Sequence, residues 1–215
     1  CSPSEQVRRI TVGRLTAHAL QRCDPAVPPI VGDRLIGREM QRQRCTPYIF
    51  TTDDIGRVFA AARPFPSPKS SLRPLTLTMM LTLAYCAGLR IGEIVRLRIG
   101  DIRSEDDALE VRETKFFKSR RLPLQTRVMT DLRAYVAARE RAGLSVEPDA
   151  TLFGYAYSTG EQLLRRVLQY AGLKPQSGRV GPRVHALRHT FVVHRMLAWY
   201  RAGITPQAPP PSLAT

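Results

Sequence analysis

The sequence predicts a mainly α fold that carries a small antiparallel β-sheet, and three observations predict it. Apolar residues recur at helical spacing in six separate stretches after Thr51. Two short extended runs, DALEVRET and SRRLPLQT, flank KFFK and read as a hairpin, with the sheet near residues 109–124. Hydrophobic residues make up 43% of the 215, enough for a buried core in one substantial domain.

The elements follow in order. Residues 1–47 hold eight arginines, prolines at 25, 28 and 29, and weak periodicity, which reads as a short helix, a loop and a basic linker. TTDDIGRVFAAA places Thr and Asp in cap positions, so a helix is expected from near Thr52 until the Pro/Ser-rich RPFPSPKSS stops it. RPLTLTMMLTLAYCAGLR is apolar nearly all round, as a buried central helix would be, with Gly88 at its end. IGEIVRLR reads as a second helix directly after it. Beyond the hairpin, QTRVMTDLRAYVAARERAG returns to helical spacing with Gly143 as its stop, and STGEQLLRRVLQYAGL carries Ser158 and Thr159 as candidate caps before Glu161. A last helix runs from near Ala186. The tail after Gly203, with four prolines in twelve residues, cannot continue it, so 204–215 is expected to be irregular.

Charge narrows the function. Against 33 Lys+Arg stand 18 Asp+Glu, a formal +15, and such an excess points to a polyanionic partner, nucleic acid first. Cys1, Cys23, Cys45 and Cys86 form no C-x-x-C pair, which argues against a zinc site and a disulfide framework. The longest apolar run is too short and Thr-broken to span a bilayer, so no membrane partner is expected, and a cytoplasmic, nucleoid-associated location fits.

Three stretches hold the candidate chemistry. Arg90 lies in AGLRIGEIVRL, three residues before Glu93, where a surface ion pair is the plain alternative to a functional role. TKFFKSRRLPL bunches Lys115, Lys118, Arg120 and Arg121 in seven residues, as a solvated hairpin tip or a phosphate contact would. In RVHALRHT, His185 would stand at the edge of the last helix with Arg188 and His189 in its first turns. Between Gln162 and Arg201 there are eight Lys or Arg and no acid, so that surface is cationic as well.

Taken together, AGLRIGEIVRL, TKFFKSRRLPL and HALRHTFVVH, in this order over about residues 46–203, resemble the tyrosine recombinase, or phage integrase, family. The resemblance implies an integrase-type catalytic domain over 48–203, preceded in 1–47 by a remnant of a core-binding region. The implied activity is site-specific DNA recombination by strand breakage and rejoining, with no metal and no other cofactor. By the same resemblance Arg90 and Arg188 would grip a phosphate, His185 would hydrogen-bond it or exchange a proton with the nucleophile, and Lys115 would protonate the leaving 5′-oxygen. Lys118, Arg120, Arg121 and His189 are then DNA-binding candidates, and a homo-oligomer on DNA is left open. The family's tyrosine nucleophile would fall roughly 35 residues after His185, past Thr215. The expectation is therefore a chain truncated before its nucleophile, with Trp199 and Tyr200 as packing residues. A catalytically inactive DNA-binding remnant is the rival reading; a type IB topoisomerase-like enzyme fits the AGLR and hairpin stretches less well.

Overall fold

The computed structural model describes residues 47–203 apart from 69, 113–118 and 177–180, all within the unit Pro47–Thr215. The readings of the first 46 residues, of the tail 204–215, and of Lys115 and Lys118 lie outside the described residues.

Helix α1 (Thr52–Ala62) starts where the cap residues place it. The Thr51 hydroxyl accepts from the Asp54 N–H at 3.1 Å while the Asp54 carboxylate accepts from the Thr51 N–H at 3.0 Å, which satisfies two otherwise orphaned donors. Helix α2 (Arg73–Cys86) buries Leu77, Met79, Met80, Leu81, Leu83 and Ala84, and its neighbours include α1 and the three long helices that follow. It is the central helix that its all-round apolar character predicts.

The stretch IGEIVRLR departs from expectation. Only one turn, α3 (Ile91–Ile94), is helical. Arg98 then forms an antiparallel bridge with Thr151, and the Leu152 N–H donates to the Leu97 carbonyl at 2.7 Å. Long-range backbone pairing, with Val95 and Leu97 buried, overrides the local helical preference. A 3₁₀ turn (Ile99–Asp101) leads into strand β1 (Ile102–Arg103), which is too short to show alternation in sequence.

The predicted hairpin is present as β2 (Ala108–Val111) and β3 (Arg120–Pro123). The sheet has the order β1-β2-β3, antiparallel throughout, with Leu109 opposite Leu122 and Val111 opposite Arg120. Helix α4 (Thr126–Arg141) follows and stops before Gly143, whose φ of 72° suits glycine. Helix α5 (Tyr157–Tyr170) begins one residue before Ser158, with Ala156 at the cap and no side-chain cap bond. Ser158 and Thr159 thus lie inside the first turn, where their own N–H groups are among the orphans.

Helix α6 (Ala186–Arg201) also begins where expected. Its first half is built into the core through Ala186, Leu187 and Thr190; the Thr190 hydroxyl, fully buried, accepts from the Phe50 N–H at 3.0 Å. Its second half is not. Met196 and Leu197 are exposed and Tyr200 is 80% exposed, so the expectation that Tyr200 packs is corrected: buried positions on α6 end at Thr190, and later turns run past the core. Among the described residues no helix is long and apolar enough to cross a membrane.

Candidate phosphate-binding site

The site begins with the turn between α2 and α3. Gly88 has φ +62°, a left-handed conformation that costs a side-chain-bearing residue, and a Cβ there would lie 2.5 Å from the Phe191 ring of α6. Glycine therefore lets α6 approach the turn closely. The Gly88 carbonyl in turn accepts from Arg188 Nη1 at 2.5 Å, which ties the first turn of α6 to the end of α2.

Two residues on, Arg90 caps α3. Its backbone N–H donates to Glu93 Oε2 at 2.9 Å and its guanidinium to Oε1 at 3.0 Å. Glu93 is 4% exposed, so a lone charge there would be costly. It is not alone. Arg120 of β3 donates to both of its oxygens, at 3.3 and 3.1 Å, and Arg188 Nη1 stands 3.8 Å from Oε2. Burial pushes the Glu93 carboxyl upward, but the hydrogen bonds from Arg120 and from the Arg90 backbone outweigh it and hold it below the usual carboxylate range.

Three guanidiniums thus converge on one buried carboxylate. Burial and the Arg90 cation pull Arg188 below its ordinary value, with Glu93 opposing and Arg120 adding to the repulsion. An arginine remains charged regardless. The result is a preorganised, partly exposed cationic cluster with more positive charge than its carboxylate neutralises.

His185 stands at the N-cap of α6. Its ring meets that of His189 edge-on, centroids 4.8 Å apart. Burial first, then His189, Arg188 and Arg90, lower the His185 pKa, so near neutrality the imidazole is biased to its neutral form. His185 and Arg90 share a cleft of about 580 Å³ whose wall also includes Glu93, Tyr157 and Arg183.

Of the residues the sequence singles out, Arg90, Arg120 and Arg188 are brought together on Glu93, with His185 and His189 beside them. Arg121 is not in the cluster. Alternation along β3 sends it to the other side, where it pairs with Asp106. The neighbouring Arg103–Glu110 pair, at 2.8 Å, lies on the same outer surface. Sequence reasoning gave Glu93 only as an ion-pair partner of Arg90 and missed Tyr157 and Arg183 in the cleft. Arg183 carries a signal in hindsight, two residues before His185; Tyr157 carries none.

Comparison with known proteins decides the family. Residues 49–198 match the phage integrase family. The chain belongs to that family. Among relatives of this phage integrase chain, the Caulobacter vibrioides tyrosine recombinase XerD is 33% identical over 159 residues, 70% of this chain and 49% of XerD. The Sinorhizobium fredii protein y4gA is 45% identical over 116 residues, 54% of this chain and 62% of y4gA. The integrase chain thus spans less than two thirds of either relative. Its fold is similar to that of the Tn1549 transposon integrase solved in complex with circular intermediate DNA, with TM-score 0.64 at 14% identity over 93% of this chain and 67% of that one.

Proposed function

We propose that this chain grips a phosphodiester of duplex DNA with Arg90 and Arg188 and serves site-specific recombination by tyrosine recombinase chemistry. One observation carries the reading: buried Glu93 draws Arg90, Arg120 and Arg188 together, and Arg90 and Glu93 share a cleft with His185. A phosphodiester has two nonbridging oxygens that gain charge in the transition state, and planar guanidiniums hold them bidentately. Glu93 is a positioning residue that fixes the three guanidiniums before DNA arrives. The Tn1549 integrase structure contains DNA, which supports the same partner here.

The reaction is a transesterification. A tyrosine oxygen forms a bond to phosphorus as the bond to the 5′-oxygen breaks. The phenol proton passes to His185, which its depressed pKa leaves free to accept it. The leaving oxygen takes its proton from Lys115, the role that family resemblance gives that residue. Tyr200 is not placed to attack. Tyr200 is 15 residues beyond His185 on α6, about 22 Å along its axis. The Tyr157 ring is packed on Gly92, with a Cβ position there 3.8 Å from its edge.

The test has two arms. Affinity for duplex DNA should fall steeply between low and moderate salt, as counterion release requires; a flat dependence would overturn the DNA reading. With a nicked suicide substrate and denaturing electrophoresis, no covalent adduct through Tyr157 or Tyr200 is expected. An adduct abolished by Tyr157→Phe or Tyr200→Phe would show that the nucleophile is misassigned.

A further inference from the structure

The hairpin is gripped by a second buried acid. Asp101 ends the 3₁₀ turn that precedes β1 and is 2% exposed. Its Oδ2 accepts from the Arg98 N–H at 2.9 Å and its own N–H donates to the Arg98 carbonyl at 3.1 Å, while the N–H groups of Ile99 and Gly100 donate to the Ala150 and Pro148 carbonyls. The turn that carries Asp101 is therefore fixed. Its other oxygen, Oδ1, lies 2.6 Å from Nε of Arg112, the exposed residue that follows β2. Glu93 holds Arg120, the first residue of β3, in the same manner, and the two acids line one hollow of about 320 Å³ together with Val111 and Arg112.

This second grip falls where the sheet has least support. Among the described residues, β1 pairs with β2 only at Ala108 and Leu109, so Glu110 and Val111 have a strand on one side alone, and Arg120 stands opposite Val111. Two strands by themselves are marginal in water, whereas a guanidinium in a phosphate site must be held to within about 0.5 Å. We infer that Asp101 is a positioning residue: through Arg112 it pins the open end of β2 and so fixes Arg120 against Glu93 in the cationic cluster. The inference rests on the DNA reading above and deepens it, by adding a buried acid outside the cluster on which the geometry of the cluster depends.

The experiment reads Glu93 and DNA affinity separately in the full chain. Glu93 faces Arg90 of the α3 cap, Arg120 of β3 and Arg188 of α6, and the hydrogen bonds from Arg120 are the largest influence that holds its carboxyl low against burial. If Arg120 drifts, burial wins and the carboxyl titrates at higher pH. Followed by carbon NMR of the Glu93 carboxyl, assigned by its loss in Glu93→Gln, the titration midpoint should move upward in Arg112→Gln and in Asp101→Asn, and no further in the double variant. Duplex affinity at fixed salt should fall about fivefold in each of the three. Arg103→Gln breaks the ion pair with Glu110 on the outer face of the same sheet and should leave both readings as in wild type, which a merely loosened sheet would not. An unmoved midpoint in Arg112→Gln, an equal shift in Arg103→Gln, or a shifted midpoint with unchanged affinity would overturn the inference. If wild type showed no salt-dependent binding, the DNA reading would fail, while the Glu93 midpoint, measured without DNA, would still decide whether Asp101 positions Arg120. Should Asp101→Asn not fold, Arg112→Gln, a change at an exposed side chain, decides by itself.

Discussion

At the Glu93 site one buried carboxylate serves three guanidiniums, whereas on the outer face of the hairpin each arginine has an acid of its own, Arg121 with Asp106 and Arg103 with Glu110. The two regions use the same residue types and are joined by the same strand. What separates them is the ratio of charges and the burial of the acid. A balanced, exposed pair contributes about 0–1 kcal/mol and is screened by salt. A buried acid shared by three bases leaves positive charge in excess, which is attractive only to an anionic ligand. The lesson is that arginine density does not locate a phosphate site; an arginine surplus around a buried anchor does.

The largest effect should come from removing that anchor. Glu93→Gln strips the cluster of its carboxylate and leaves Arg90, Arg120 and Arg188 facing one another, which should cost about 3 kcal/mol in urea unfolding, below the upper range for buried pairs because the arginines are partly solvated. Glu110→Gln on the outer face should leave the urea midpoint close to that of wild type. Equal costs would erase the distinction between the two regions.

Gly88→Ala sharpens the comparison by moving the site without touching its charges. The left-handed φ and the 2.5 Å approach to Phe191 should together cost about 2 kcal/mol. DNA affinity should drop as well, because the Gly88 carbonyl anchors Arg188. An unchanged midpoint in thermal or urea unfolding would contradict the geometry of this turn.

A smaller effect should appear with pH. In the free chain, burial first, then the neighbouring His189, Arg188 and Arg90, hold His185 below its ordinary value, about 6.5. A phosphate anion beside the ring raises it, so DNA binding takes up a proton. Affinity should therefore rise as pH falls through the DNA-bound value and level off below the free one, by about threefold in all. Stability of the free chain has the opposite sign: the unfolded imidazole protonates first, so stability is lost as pH falls below about 6.5. In His185→Gln the binding dependence should vanish, which fluorescence anisotropy from pH 7.5 to 5.5 would show.

Much of this was legible in the sequence, for reasons that differ by element. Helices α2 and α6 announce themselves because all-round apolarity and the i, i+3, i+4 pattern are local, and Thr51 and Asp54 mark α1 by cap chemistry alone. The hairpin is legible too, but not its parity. That Arg120 reaches Glu93 while Arg121 faces Asp106 depends on register, with Val111 opposite Arg120 and Glu110 opposite Arg121, and four cations within seven residues give no hint of which of them turns inward. The loss of helix after Ile94 depends on Thr151, far along the chain, and the burial of Lys174 on the path taken after α5. Both are products of tertiary pairing that local periodicity does not encode.

The most direct test of the central claim compares Arg188 with Arg121, one arginine from each region, in binding to a short duplex at fixed salt. The account predicts that Arg188→Ala loses about tenfold in affinity or more, that Arg188→Lys does not fully restore it because a single ammonium cannot replace a bidentate fork, and that Arg121→Ala stays within about twofold of wild type. Equal and small losses at both positions would contradict it, and would mean that the DNA meets a diffuse basic surface and not a built phosphate site.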